Sequence, residues 1–320
     1  MTNLLYPVLF TPIYKKMIWG QESWDISCRP QEMSVVENGS LTGCTFEDYI
    51  SRDRVKVLGA RLADINRFPL LVKIISAKDN LSVQVHPCDR YVQGERDSGK
   101  SEMWYVLRPP DNGYLVVGLK PGVTREMLRA ACRSGAVEDC LNRLHVGVGD
   151  IIDIPSGVVH ALTAGAVVAE VQQNSDITYR LYDWGRAGAD GKPRPLHVDD
   201  ALAVADFGKQ VPLPRSSKAT PCRGSQAIDV LKKSENDMNL VISNPHFTIE
   251  KYVISSPYAE ESDIGAFSIF TCVDGDALIS TAAMSVEIPQ GRSVFIPAGM
   301  GAYTIAPSSS GNAVLLKSKP

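Results

Sequence analysis

The chain of 320 residues has no Cys-x-x-Cys pair, and its seven cysteines are scattered at positions 28, 44, 88, 132, 140, 222 and 272. An odd and dispersed set of thiols excludes a disulfide framework and a thiolate zinc site, so the cysteines read as mostly buried, small apolar residues of a reduced protein. Excess charge of one sign is missing too: 33 Lys and Arg stand against 36 Asp and Glu, a net charge of -3. That balance leaves no basic footprint for nucleic acid and no acidic tail. No apolar run approaches the roughly 18 residues that a membrane span needs. The opening MTNLLYPVLFTPIYKK is interrupted by Pro7 and Pro12 and lacks a charged leader, unlike a secretory signal. A cytoplasmic protein without membrane or nucleic-acid partners is therefore expected. Histidine is scarce, at five residues, so the position of each one is informative.

What is present is an ordinary folded composition, 44% hydrophobic and 22% charged, long enough for about two domains. Short strand-like runs dominate: 70–76, 81–86, 102–107, 114–119, 150–154 and 166–173. Turn residues such as AKDN, PPDNG, GVGD, PSG and TAG separate them. Such tight spacing predicts an all-β sandwich or barrel. Helical patterns are few. Residues 124–143 open at Thr124, a plausible N-cap, and read as an insertion of two short helices broken at Ser134-Gly135, while 199–206 reads as a further helix before a linker. The division expected is 1–206 as a first β domain, 207–238 as a linker rich in Pro, Ser and Lys, and 239–320 as a second β domain.

One internal comparison links the halves. GDIIDIPSGVVH at 149–160 aligns without gaps to GRSVFIPAGMGA at 291–302, so that His160 of the first copy corresponds to Ala302 of the second. Two copies of one β fold, the second without a ligating residue, explain the match better than two unrelated turns.

The chemistry concentrates in three strands. In LSVQVHP, alternation puts Leu81, Val83 and Val85 on one face and Ser82, Gln84 and His86 on the other, a polar stripe that either meets solvent or lines a cavity. Gln84 and His86 are about 7 Å apart by strand rise, close enough to converge on one ion. In KSEMWYVL, Lys100, Glu102 and Trp104 share a face. His160 follows the PSG turn. Gln84, His86, Glu102 and His160 form a nitrogen and oxygen donor set suited to Zn²⁺ with positions left for water or substrate. His145, His197 and His246 lack such neighbours and read as structural or surface residues. Farther on, EVQQNSDITYR carries Glu170, Gln172, Asn174, Asp176 and Arg180 at even positions, a polar stripe if the chain stays extended. Arg180 and Lys100 each offer a fixed positive charge to an anion.

LSVQVHP, GKSEMWYVL, IPSGVVHAL and EVQQNSDITYRLYDW, with IWG at 18–20 and LHVDDAL at 196–202, resemble in order the short bacterial form of type I mannose-6-phosphate isomerase. The resemblance implies a fold that is mainly β, with two cupin-type (jelly-roll) barrels, a short helical insertion and a linker helix. It implies an aldose-ketose isomerase that needs one zinc ion per chain and acts on a small sugar phosphate, working as a monomer or weak homodimer. Gln84, His86, Glu102 and His160 match the family's zinc ligands and Arg180 its catalytic arginine; Ser82 and Lys100 match positions associated with phosphate. Glu170, Asp176 and Trp19 match pocket positions, the two acids being candidate bases. Two departures from general cupin motifs, Ala164 where Asn is usual and Gln-x-His in place of His-x-His, fit this family better than iron-dependent cupins. The rival readings are a cupin that binds a sugar or metal without turnover, and a cupin isomerase or epimerase for another sugar phosphate.

Overall fold

The computed structural model describes residues 5–92, 97–188, 191–208 and 236–320; most of the expected 207–238 linker, and Cys222, lie outside the described residues. Two compact units result. One is Tyr14–Trp24 with Leu70–Arg215, and the other is Met1–Ile13, Asp25–Pro69 and Ser216–Pro320. This differs from a division at residue 206, because the N-terminal segments join the unit of the C-terminal strands. Val8–Thr11 pairs antiparallel with Ser293–Ile296, Val8 opposite Phe295. The helix Phe46–Arg52 sets Phe46 and Tyr49 against Phe295, and Phe68 stacks on Phe267 with ring centroids 4.8 Å apart. A run such as VLF has the composition of a strand but carries no mark of which sheet it will join.

In the unit containing Leu70–Arg215, a six-stranded sheet runs in the order Ile151–Ile154, Glu102–Arg108, Val167–Gln173, Leu70–Ala77, Gly20–Ile26, Ile13–Met17. A five-stranded sheet runs Leu141–His145, Tyr114–Leu119, His160–Ala161, Val83–Val85, Tyr179–Tyr182. Trp104 and Val106 of the first sheet, Leu115 and Val117 of the second, and Trp19, Leu81 and Leu162 share one buried core. The outer face of the five-stranded sheet is covered by the helices Arg125–Ser134 and Val198–Val204, with Val83, Val85 and Leu181 packed among Leu128, Ala131, Ala201 and Leu202. Alternation then does the rest: if Val83 and Val85 face the helices, Gln84 must point into the interior.

The expected insertion is half helical. Thr124 caps the helix Arg125–Ser134 by accepting the Met127 N–H, and Gly135 ends it in the left-handed region at φ 79°. Beyond Gly135 the chain makes a single 3-10 turn, Val137–Cys140, and then the strand Leu141–His145 where a second helix was expected. That strand pairs with Tyr114–Leu119 across a bulge, which outweighs local helical preference. Glycine is required after Trp19: a Cβ on Gly20, at φ +149°, would lie 2.1 Å from the Ser76 carbonyl oxygen.

The other unit repeats the plan. Its seven-stranded sheet runs Asp237–Ser243, Thr248–Ile254, Ala313–Lys319, Ser268–Asp274, Ser293–Ile296, Val8–Thr11, Val35–Val36, and its four-stranded sheet runs Tyr258–Glu261, Ala302–Pro307, Ala277–Ser280, Ser285–Ile288. Tyr252, Phe270, Ile279, Ile305 and Leu315 meet in its core. Ser293–Ile296 flanks Ser268–Asp274 as Ile151–Ile154 flanks Glu102–Arg108, which places the two aligned segments at the same point of each unit. The molecule is thus mainly β, as expected. The cysteines are less buried than expected: of the six described, all free, only Cys140 and Cys272 are buried, since Cys28 sits in a short hairpin and Cys88 in a loop. No helix among the described residues is long and apolar enough to cross a membrane.

Candidate active site

Antiparallel register assembles the donor cluster. His160 lies directly opposite Gln84 in the five-stranded sheet, and Glu102 lies opposite Ile154 and Gln172 in the six-stranded one. His160 Nε2 is 3.2 Å from Glu102 Oε1, and His86 Nε2 is 3.5 Å from Glu102 Oε2; all three side chains are buried. Each imidazole is oriented from behind. His86 Nδ1 donates to the Ile177 carbonyl at 2.8 Å and His160 Nδ1 to the Val158 carbonyl at 2.9 Å, so each Nε2 turns a lone pair toward Glu102. The Gln84 amide lies 3.4 Å from His160 Nε2, and Ser82 Oγ donates to Gln84 Oε1 at 3.4 Å.

The residues fit a metal ion. Ligand atoms of His86, Glu102 and His160 all fall within 4.8 Å of one another, and Glu102 Oε2 is buried without a hydrogen bond. Two neutral imidazole nitrogens and a carboxylate oxygen are donors for a divalent transition ion that keeps open positions. The electrostatics agree. Burial, then the Lys100 cation, hold His86 well below the usual imidazole range, in the neutral form a ligand needs. Burial pushes Glu102 up, but Lys100 and the two imidazoles outweigh it and leave the carboxyl well below the usual range.

Lys100, expected near phosphate, is buried with Nζ 3.2 Å from both Glu102 Oε2 and His86 Nε2. Burial lowers its affinity for a proton, yet Glu102 and Glu170 together raise it above the ordinary lysine value. Glu170 accepts the Trp104 indole N–H at 2.8 Å and faces Lys73 Nζ at 3.5 Å. Its carboxyl is raised, first by burial and then by the Glu102 charge.

These groups border a cavity of about 300 Å³ lined by Trp19, Ser82, Gln84, Lys100, Glu170, Asp176 and Arg180, which brings together seven of the ten residues singled out in the sequence; His86, Glu102 and His160 form the buried cluster beside Gln84. Trp19 is a buried wall residue, whereas Asp176 is exposed. The polar stripe from 170 to 180 is not continuous. The strand ends at Gln173 and resumes at Tyr179, and Gln172 Nε2 closes the turn by donating to the carbonyls of Gln173 and Ser175. His197 is structural in a specific way: its Nδ1 accepts the Arg180 N–H at 3.1 Å, and its own N–H donates to the Arg180 carbonyl.

Sequence reasoning missed Glu22, Lys73 and Arg194, which also line the cavity. Lys73 is 3% exposed, 3.7 Å from Glu22 Oε2, and packed over the Trp24 ring. Its signal was available: one charge inside LLVKIISA, a strand otherwise free of charge. Glu22 takes the Trp24 indole N–H; burial pushes its carboxyl up, but Lys73 and that hydrogen bond bring it below the ordinary range.

Residues 12–107 match the family model described as phosphomannose isomerase type I, catalytic domain, and residues 236–317 match mannose-6-phosphate isomerase, cupin domain. The mannose-6-phosphate isomerase of Streptococcus mutans is 30% identical, with 86% of this chain and 82% of that protein covered. Mannose-6-phosphate isomerase ManA of Bacillus subtilis is 29% identical over 93% of this chain and 95% of its own length. A crystal structure of the mannose 6-phosphate isomerase from Bacillus subtilis superposes with a TM-score of 0.83 at 28% identity, covering 98% of this chain and 99% of that one. Sequence, fold and donor cluster therefore converge, and the chain belongs to the type I mannose-6-phosphate isomerase family of the cupin superfamily.

Proposed function

We propose that the protein interconverts mannose 6-phosphate and fructose 6-phosphate, with zinc as its metal. The observation that carries this reading is the buried His86, Glu102 and His160 cluster, both Nδ1 atoms tied to backbone carbonyls, beside a cavity that holds carboxylates and cations. Gln84 would complete the ligand set through its amide oxygen with the amide flipped, since Oε1 here accepts from Ser82 and Nε2 lies beside His160. A bound zinc ion supplies Lewis-acid stabilisation of sugar oxygens.

The residues of the chain account for the remaining steps. Isomerisation removes the α-proton of the open-chain sugar to give a cis-enediol(ate) and returns it to the neighbouring carbon. Of the three carboxylates on the cavity wall, Glu170 and Asp176 are the candidates to move that proton, Glu22 being held by Lys73 and the Trp24 indole, and Trp104, through its indole N–H, fixes the Glu170 carboxylate plane. Arg180 offsets negative charge on the bound substrate, whether enediolate or phosphate, its chain direction set by His197. Trp19 walls the pocket against water, and Ser82 and Lys100 bind on the substrate side. A cytoplasmic location and monomer or weak dimer complete the reading.

The test is a coupled assay of fructose 6-phosphate formation on protein as purified, after chelation, and after one equivalent of zinc is restored. Activity that disappears and returns with zinc is expected. A folded, zinc-replete sample without turnover would reject the isomerase in favour of the binding-only reading, or of another sugar phosphate if one is turned over.

A further inference from the structure

The segment after the Tyr179–Tyr182 strand packs two arginines, Arg186 and Arg194, around one acid. Asp183 is 6% exposed and accepts Arg194 Nε at 2.8 Å on one oxygen and Arg194 Nη2 at 2.6 Å on the other. It also accepts Arg186 Nη2 at 2.7 Å, and Arg186 is further occupied by the Asn80 carbonyl and by Asp79 at 3.4 Å. Burial raises the Asp183 carboxyl, yet the hydrogen bonds from Arg194 and Arg186 leave it lowered, as expected of an anion shared by two cations.

Arg186 is thereby used up inside the protein, whereas Arg194 keeps Nη1 without a partner among the described residues and lines the cavity with Arg180. Arg180 donates Nη1 to the Pro195 carbonyl at 2.8 Å, which brings its guanidinium beside the Arg194 backbone, and its Nε is buried without a partner among the described residues. One carboxylate, Asp183, serves Arg186 and Arg194, and among the described residues no carboxylate within ion-pair distance serves Arg180. Two cations with spare donors lining one cavity are a receptor for a multiply charged anion. The mount is rigid. Trp184, next to Asp183, holds a left-handed φ of 58°, rare for a bulky residue, fixed by its indole N–H donating to the Leu81 carbonyl at 2.6 Å.

We infer that Arg194 is a specificity-determining residue, gripping the substrate phosphate jointly with Arg180, and that Asp183 is a positioning residue that holds the Arg194 fork in place. The inference rests on the proposed action on a sugar phosphate. It assigns the phosphate to Arg180 and Arg194 rather than to Lys100, whose charge is engaged by Glu102.

Steady-state kinetics with mannose 6-phosphate and calorimetric titration with inorganic phosphate test it on the zinc-loaded, full-length protein. Arg194→Gln should raise KM about 10- to 100-fold with kcat changed only a few-fold, and weaken phosphate binding by a similar factor. Arg194→Lys, which keeps the charge but not the fork, should fall between, and Asp183→Asn should raise KM several-fold. Unchanged KM and phosphate affinity in Arg194→Gln, or a loss confined to kcat, overturns the inference; if that variant does not fold, an unchanged KM in Arg194→Lys does so. The isomerase reading fails separately, if the wild type does not turn over mannose 6-phosphate, and the phosphate titration then still decides whether Arg194 binds the anion.

Discussion

The two β units repeat one strand plan, yet only one of them gathers metal donors among the described residues, and register shows where they part. Ile154 faces Glu102, and its aligned counterpart Ile296 faces Ser268. Gln84 lies opposite His160; Glu261 lies opposite Ala302. One strand rung further, Trp104, Glu170 and Lys73 form a row, matched in the other unit by Phe270, Lys317 and Glu250. The charges of that row are reversed. Lys317 turns to Glu260, over the rings of Tyr252 and Phe270, while Glu250 pairs with Lys319 at 3.1 Å. The lesson is that a β sandwich tolerates a buried lysine at either of these rungs given a carboxylate beside it, while a metal site needs particular donors at particular rungs.

The comparison breaks most visibly at the ligands. His160→Ala should cost at least about 100-fold in turnover and abolish stoichiometric metal by elemental analysis. Ala302→His in the other unit should bind no second ion, because Ser268 stands at the carboxylate rung. A second equivalent of metal in that variant would show that one histidine decides the difference.

The buried lysines sharpen it next. Lys317→Met should destabilise the fold by about 3 kcal/mol in denaturant unfolding, since it leaves Glu260 without its cation, and leave KM unaltered. Lys73→Met should raise KM or lower kcat as well, because Lys73 borders the cavity. Equal kinetic effects from both would contradict the separation of roles.

A pH contrast is of similar size. Glu102 is held low by its cations, whereas Asp25 in the other unit is raised from 3.8 to about 6, chiefly by burial, with Arg292 Nε only at 3.4 Å. Folded Asp25 binds its proton more tightly than unfolded Asp25. Its favourable contribution is therefore complete below about pH 4 and is lost as pH rises through about 6, a change of about 3 kcal/mol at most. Asp25→Asn should flatten the decline in melting temperature across that window. An undiminished decline would assign it to other groups.

The smallest effect concerns the helix that covers one sheet of the unit with the donor cluster. Thr124→Ala removes its cap and should cost about 1 kcal/mol with kinetics preserved.

Much of this was legible in the sequence because period-two alternation carries over directly into facing. Once Val83 and Val85 proved apolar, the inward direction of Gln84 followed, and the gap-free match of 149–160 to 291–302 exposed the repeated unit. The boundaries were less legible. Strand pairing between Val8–Thr11 and Ser293–Ile296 spans almost the whole chain, and nothing local in VLF encodes it. The 141–145 strand was hidden by helix-compatible residues whose pairing partner decides their state. Arg194 escaped notice because its role depends on Asp183, eleven residues earlier, through a turn that no periodicity describes.

The strand Glu102–Arg108 runs between two others within its sheet, whereas Tyr179–Tyr182, which carries Arg180, is the outermost strand of its own. Its outer edge is nevertheless closed at Arg180, whose N–H donates to His197 Nδ1 and whose carbonyl accepts the His197 N–H. Glu102 is thus clamped between two neighbouring strands, and Arg180 between one strand and a single residue, His197. Loss of the His197 imidazole would open that outer edge alone, so amide exchange should quicken at Arg180 and leave Glu102 protected.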